Sequence, residues 1–161
     1  KRQIMVKEGL VEQLKSVGEF FERSTRCLSE EDSEFSPSEG TFTVVNQVAH
    51  VAQTVDWFLE GMFNPDGFDL DFEKHAKAMM TCTSLTSARE WFNRAMHNAI
   101  ETIGSKTDQE LLQPLPAGPI MGGAPRSAIV GAIADHTAHH RGALTVYSRL
   151  LGKVPIMPYG E

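Results

Sequence analysis

Two histidines, His136 and His140, stand four residues apart in an otherwise apolar helical stripe near the end of the chain. At about 100° per residue their side chains differ in direction by roughly 40° and lie one turn apart, so both rings can reach one metal ion. The spacing alone is weak evidence, because six histidines in 161 residues produce such a pair by chance in roughly one sequence out of five. Its position on the buried stripe strengthens it, since an unpartnered buried imidazole costs about 1–3 kcal/mol.

A third nitrogen ligand must come from another helix, and His50 is the best candidate because it lies inside a helical segment. It lies at the edge of a valine stripe, on the same face as Trp57, so a half-exposed surface histidine is an equally good interpretation. His97 and His75 lie among charged or polar residues and are expected at the surface. His139 is a second choice as ligand, because it is next to the pair but points toward a different side of the helix.

The elements that position these residues follow from apolar residues at intervals of three and four, which predict four long amphipathic helices. We expect them over residues 6–28, from about residue 43 to 62, over 85–103 and over 126–151. A short helix at 72–80 and a helical turn capped by Thr107 and Glu110 are expected between them. The chain offers no convincing strand, so the expected fold is an all-α four-helix bundle in a single domain, residues 1–161.

Turn and cap residues set the expected helix ends. The sequence at 64–67, Asn-Pro-Asp-Gly, ends the second helix, and Ser87 with Glu90 fits a capping box at the start of the third. Residues 114–125 are rich in proline and glycine and are predicted to form a long loop. Gly131 and Gly142 each cost about 1 kcal/mol relative to alanine inside the last helix, so we expect another helix to approach them closely, with a symmetric dimer contact as one possibility.

Composition excludes several classes of function. The net charge of −6 provides no basic surface for a phosphate backbone, so we expect no nucleic-acid partner. No apolar run approaches the roughly 20 residues of a membrane span, and the first residues lack the apolar core of a signal peptide, so no membrane partner and a cytoplasmic location are expected. A chain of this length folds without disulfides or a structural metal, so a metal site is expected to be functional.

Two separated motifs resemble one known family. Residues 136–155, with the pattern HxxHHRG, resemble the final helix of the DinB/YfiT-like superfamily, and residues 46–50 followed by Asp-Trp-Phe at 56–58 resemble its second helix. The resemblance covers residues 4–158 in helix order. It implies an up-down-down-up four-helix bundle, commonly a homodimer, with a divalent metal held by His50, His136 and His140. The family commonly has glutamine after HHRG, where this chain has Ala143.

Three imidazoles would leave one position of a four-coordinate ion open for water or substrate, as in catalytic sites. Zn²⁺ and Ni²⁺ both suit this donor set. Such an ion could lower the pKa of bound water toward about 7 or favour a bound thiol as thiolate. Relatives in the superfamily include S-transferases and isomerases that use bacillithiol or mycothiol. The resemblance therefore implies a metal-dependent thiol S-transferase or hydrolase with a small-molecule thiol or electrophile as partner; the alternative is a non-catalytic metal-binding stress-response protein.

Two aromatic residues are candidates for the walls of a substrate pocket between the second and last helices. Trp57 and Tyr147 each follow a predicted ligand by seven residues and so point within about 20° of it. Ordinary core packing is the alternative for both. Arg141 is turned by roughly 100° from His140, so we expect it to face away from the ion and to have a structural or interface role.

Overall fold

The computed structural model describes residues 6–160. The regular secondary structure in this range consists of helices. The helices are α1 (Val6–Thr25), α2 (Val44–Phe63), α3 (Phe72–Met80), α4 (Leu85–Gly104), α5 (Asp108–Leu112) and α6 (Ala128–Leu150). Within this range the β-type pairing is one isolated bridge between Pro114 and Pro125. The all-α prediction is confirmed, while residues 1–5 and 161 of the predicted domain lie outside the described residues.

The four long helices form a bundle in which α1 and α2 each pack against both α4 and α6. Contacts between helix ends show the direction of each helix. The end of α1 meets the start of α4 at Thr25–Arg89, and the start of α2 meets the end of α6 at Gln47–Tyr147. The ends of α2 and α4 meet where Lys106 lies over the ring of Phe63. The order is therefore up-down-down-up, as predicted. The long connection that contains α3 allows α2 and α4 to run parallel.

The valines of α2 show why periodicity outweighs β-propensity in this segment. Val44, Val48, Val51 and Val55 are each at most 1% exposed. Because they recur at intervals of three and four, one helical face carries all of them into the core, where they meet the apolar faces of α4 and α6. This places the remaining faces of α2, including the one that carries His50, at the edge of the core.

The start of α4 differs from its prediction. The helix begins at Leu85, and its cap is Ser84, whose side chain accepts a hydrogen bond from the Ser87 N–H at 3.1 Å. The predicted capping box of Ser87 and Glu90 is therefore wrong by one helical turn. The carboxylate of Glu30, from the α1–α2 connection, accepts from two further N–H groups of the first turn, which a local sequence pattern does not reveal.

Other boundaries shift by two or three residues. The first helix ends at Thr25 instead of residue 28, and the last begins at Ala128 instead of 126. The capping box of Thr107 and Glu110 at α5 is confirmed. Within the described residues, none of the helices combines the length and apolar character that crossing a bilayer requires.

The glycines of α6 do not mark a close approach within the chain. Gly131 and Gly142 are both exposed, and a Cβ added at either would meet nothing within 4 Å. The expectation that another helix of the same chain lies against them is wrong. A dimer contact on this face stays a prediction.

Candidate metal centre

The three predicted ligands come together where α2 packs against α6. The Nε2 atoms of His50 and His136 are 3.1 Å apart, and one ring nitrogen from each of His50, His136 and His140 lies within 4.8 Å of the other two. We call these residues the histidine triad. Two imidazole nitrogens on one tetrahedral ion with bonds near 2.0–2.1 Å stand about 3.3 Å apart, so the separation of the His50 and His136 nitrogens already fits an ion.

Helix positions explain this convergence. Thr43 caps α2 by accepting from the Asn46 N–H at 3.2 Å, and the buried valine face then fixes the rotation of the helix. His50 is thereby half-buried at the rim, beside the ring of Phe42 at a centroid distance of 5.3 Å. On α6 the interval of four residues brings the rings of His136 and His140 to a centroid distance of 4.5 Å.

Gln47, one turn before His50, connects the triad to the rest of the fold. Its Oε1 is 2.5 Å from Nδ1 of His140, and its Nε2 donates to the hydroxyl of Tyr147 at 3.1 Å. The Tyr147 hydroxyl in turn donates to the carbonyl of Phe42 at 2.8 Å. Sequence reasoning missed this role of Gln47. The available signal was a glutamine on the same helical face as His50, next to the apolar stripe.

Burial keeps the triad neutral at physiological pH. It lowers the pKa of His50, and together with repulsion from the neighbouring rings it lowers the pKa of His136 to about 4 and that of His140 to about 3. A neutral imidazole has a free lone pair on one nitrogen, which is the form that binds metal. Protons therefore compete weakly with a cation for these nitrogens at pH 7.

The remaining histidines lie outside the triad. His139 is exposed, with its ring 4.9 Å from that of His140, and His97 is exposed as predicted. His75 was expected at the surface, but its side chain is only 17% exposed. Its Nε2 lies 3.0 Å from the carbonyl oxygen of Asp69, because α3 folds back against α2 and packs this ring near Trp57.

The two predicted pocket residues have identifiable structural contacts. Trp57 packs against Phe68 and donates its indole N–H to the Asp69 carbonyl at 2.7 Å, which holds the α2–α3 connection. Tyr147 is 5% exposed and packs edge-on against Phe35. These contacts match the packing alternative, and a role of either ring in substrate binding stays a prediction.

Arg141 is directed toward α1 and the C-terminal segment, in line with its helical direction. Its guanidinium donates to the hydroxyl of Tyr159 at 2.9 Å and to Ser24 Oγ at 3.4 Å. It also lies over the ring of Tyr159, 5.3 Å from the centroid. These contacts agree with a structural role. They direct the positive charge of Arg141 away from the triad.

The donor set of the triad fits a divalent first-row cation. Among residues 6–160, no carboxylate or thiolate joins the group of three imidazoles, and imidazole nitrogen is a good ligand for zinc, nickel, copper and iron. Three protein ligands leave at least one coordination position unfilled by the chain. The site can therefore hold an ion and still admit a small molecule.

Comparisons with known proteins agree with the fold. A family model described as the DinB family matches residues 5–161. YfiT from Bacillus subtilis, described as a probable metal-dependent hydrolase with an unusual four-helix bundle topology, has a TM-score of 0.71 at 15% identity over 91% of this chain and 88% of its own. A DinB-like protein from Bacillus cereus has a TM-score of 0.63 at 19% identity, over 93% and 96% of the two chains.

A protein from Streptococcus pneumoniae has a TM-score of 0.71 at 13% identity, over 93% of this chain and 94% of its own. At these identities the similarity to solved structures shows the fold alone. Among curated proteins, none matches this chain in sequence.

Proposed function

Because the chain belongs to the DinB family and brings three neutral imidazoles together, we propose that it is a divalent-metal-dependent enzyme of the thiol S-transferase or hydrolase class. His50, His136 and His140 would hold the ion. The observation that carries the proposal is the approach of their nitrogens to within 4.8 Å of one another from two separate helices. The resemblance to thiol-dependent relatives supports the transferase class, and the description of Bacillus subtilis YfiT supports the hydrolase class.

The residues around the triad support binding of a small anionic or nucleophilic molecule. When bound, a divalent cation supplies Lewis acidity that lowers the pKa of a coordinated water or thiol. The three ligands are neutral, so the loaded site keeps the full charge of the ion and attracts thiolates or other anions. The apolar body of the bundle covers the inner side of the site, while half-buried His50 and Phe42, which is 36% exposed, leave the outer side accessible.

The metal and the assembly belong to the same proposal. Zn²⁺ and Ni²⁺ are the ions we propose, since both accept an all-imidazole donor set. We also propose a homodimer, which the family resemblance supports. Metal analysis by mass spectrometry and light scattering of the purified protein measure these two properties directly.

A non-catalytic metal-binding protein is the second candidate. It is favoured by the hydrogen-bond partners of the triad, which are other triad rings and the amide of Gln47. None of these partners is a carboxylate or an amine that could serve as a general acid or base. Such a protein would bind the ion tightly without turnover.

Activity measurements with the metal-loaded protein separate the two candidates. The assay combines low-molecular-weight thiols, including bacillithiol and mycothiol, with aryl halides and epoxides, and tests esters and amides for hydrolysis. We expect metal-dependent turnover that is lost in the His136→Ala/His140→Ala double variant and retained in His139→Ala, whose side chain is exposed. Full metal loading without turnover on any substrate would favour the binding protein, and unchanged metal stoichiometry in the double variant would reject the site.

A further inference from the structure

The geometry points to Gln47 as a positioning residue that fixes the ring of His140 and leaves its Nε2 free to bind the proposed ion. This inference rests on the metal site of the proposed function. The structural basis is a chain of three hydrogen bonds that runs from His140 through Gln47 and Tyr147 to the backbone carbonyl of Phe42. We call this chain the Gln47 relay.

The direction of every bond in the relay follows from its last member. A backbone carbonyl can only accept, so the Tyr147 hydroxyl must give its hydrogen to Phe42. The phenolic oxygen then accepts from the NH₂ group of Gln47, which turns the amide oxygen of Gln47 toward His140. Because an amide oxygen also only accepts, Nδ1 of His140 must carry the proton. The relay thus selects the tautomer whose Nε2 lone pair is free.

Burial makes this selection effective. Gln47 is 7% exposed, Tyr147 is 5% exposed and His140 is 9% exposed. Water has little access to compete for these bonds, and a buried polar group left without its partner costs about 1–3 kcal/mol. Rotation of the His140 ring or exchange of its tautomer would break the bond to Gln47, so the packed structure opposes both.

His140 differs in this respect from the other two members of the triad. Within residues 6–160, the rings of His50 and His136 are hydrogen-bonded to each other through their Nε2 atoms. Among the described residues, His140 is the only member of the triad whose ring is hydrogen-bonded to a side chain outside the triad. Ligating histidines generally need such a partner to fix ring orientation and tautomer. The relay therefore makes His140 the ligand with a fixed orientation, against which the other two rings adjust.

The relay also ties the site to the segment that leads into α2. Phe42 accepts the last hydrogen bond through its carbonyl, while its ring lies beside His50. The same residue therefore anchors one ligand through the backbone and contacts another through its side chain. A change at Gln47 should disturb the ring orientation of His140 before that of His50. The contact between the rings of Phe42 and His50 does not involve the side-chain amide of Gln47.

Substitutions at Gln47 and Tyr147 test the role of the relay. Gln47→Leu removes both hydrogen bonds at similar volume, Gln47→Glu keeps an acceptor for Nδ1, and Tyr147→Phe removes only the hydroxyl. Gln53→Leu is the matched control, since Gln53 is a half-buried glutamine on the same helix. Competition with a chromophoric chelator gives the affinity for Zn²⁺. We expect Gln47→Leu to weaken binding by about 10–100-fold, Gln47→Glu to stay close to wild type, Tyr147→Phe to fall between them, and Gln53→Leu to leave affinity unchanged.

The tautomer of His140 provides a readout that does not depend on metal. Nitrogen chemical shifts of the imidazoles in the metal-free protein should show His140 protonated at Nδ1 in the wild type and as a mixture of tautomers in Gln47→Leu. Wild-type affinity and an unchanged tautomer in Gln47→Leu would overturn the inference. If the wild type binds no divalent ion, the proposed function fails, and the relay is then judged by the tautomers alone: loss of the Nδ1–H form in Gln47→Leu supports it, and retention rejects it.

Discussion

Replacing His50 by alanine is expected to weaken Zn²⁺ or Ni²⁺ binding by about 10²–10³-fold. Structural zinc sites in small domains contribute about 10–16 kcal/mol through four ligands, or about 2.5–4 kcal/mol per ligand. Since about 1.4 kcal/mol corresponds to a factor of ten, loss of one of three ligands gives this range. His50 is the informative position because it is the proposed ligand that α2 supplies. Its removal leaves the α6 pair in place.

The fold should tolerate this substitution. His50 is half-buried, and the buried valines that hold α2 in the core lie on a neighbouring face. Metal-dependent stabilisation in a thermal melt gives a second measurement, because bound ligand raises the free energy of unfolding by RT ln(1 + [L]/Kd). A 10²–10³-fold loss of affinity removes about 2.7–4.1 kcal/mol of that stabilisation at saturating wild-type conditions.

His139→Ala is the matched control for this prediction. It removes the same type of side chain from a position adjacent to His140, but the ring is exposed and lies outside the triad. Its affinity should remain within about threefold of wild type, since exposed side chains outside the site add little. The reasoning is refuted if His50→Ala binds the ion as tightly as wild type, or if His139→Ala loses as much affinity as His50→Ala.

Two further predictions concern the stability of the metal-free protein. In the unfolded chain the histidine side chains bind protons with a pKa near 6.5. In the folded protein burial, the main cause, lowers the pKa of His136 to about 4 and that of His140 to about 3. Because the unfolded state then binds more protons, the free energy of unfolding should decrease as pH falls from about 6.5 toward 4. Urea denaturation across this range measures the slope, which should be shallower in His136→Ala; an equal slope would contradict the assignment. Gly131→Ala should raise the free energy of unfolding by about 0.5–1 kcal/mol, because the added methyl group meets nothing within 4 Å. A lower melting temperature would instead indicate a partner surface against this face of α6.

Local patterns were sufficient to predict the helices and part of the candidate metal centre. The valines of α2 recur with the helical period, and the pair at 136 and 140 follows from the rise of one turn, so both features depend on neighbours in sequence. His50 was different. Its direction at the edge of a stripe is compatible with solvent or with a cleft, and only the packing of α2 against α6 places it beside His136.

The missed features depend on contacts between distant segments. The cap of α4 uses Glu30, which lies 55 residues before Leu85, and Gln47 reaches His140 across 93 residues. No local spacing encodes either contact. At Gly131 the sequence predicts a contact that the chain itself does not make. The prediction assumed that glycine, which destabilises a helix, is kept there because another helix packs closely against it. Within this chain the position faces open space.

The arrangement of polar groups in the α2–α6 contact argues that the triad has a role other than folding. Gln47 and the three histidines occupy positions next to fully buried residues such as Val48, Val51 and Leu144. Apolar side chains there would stabilise the bundle at no electrostatic cost, whereas buried neutral imidazoles require specific partners to offset their desolvation. A bundle of this size does not need an ion to fold. Since the site also stays accessible beside Phe42 and His50, the stability of the fold does not account for its geometry, which fits the proposed binding of an ion.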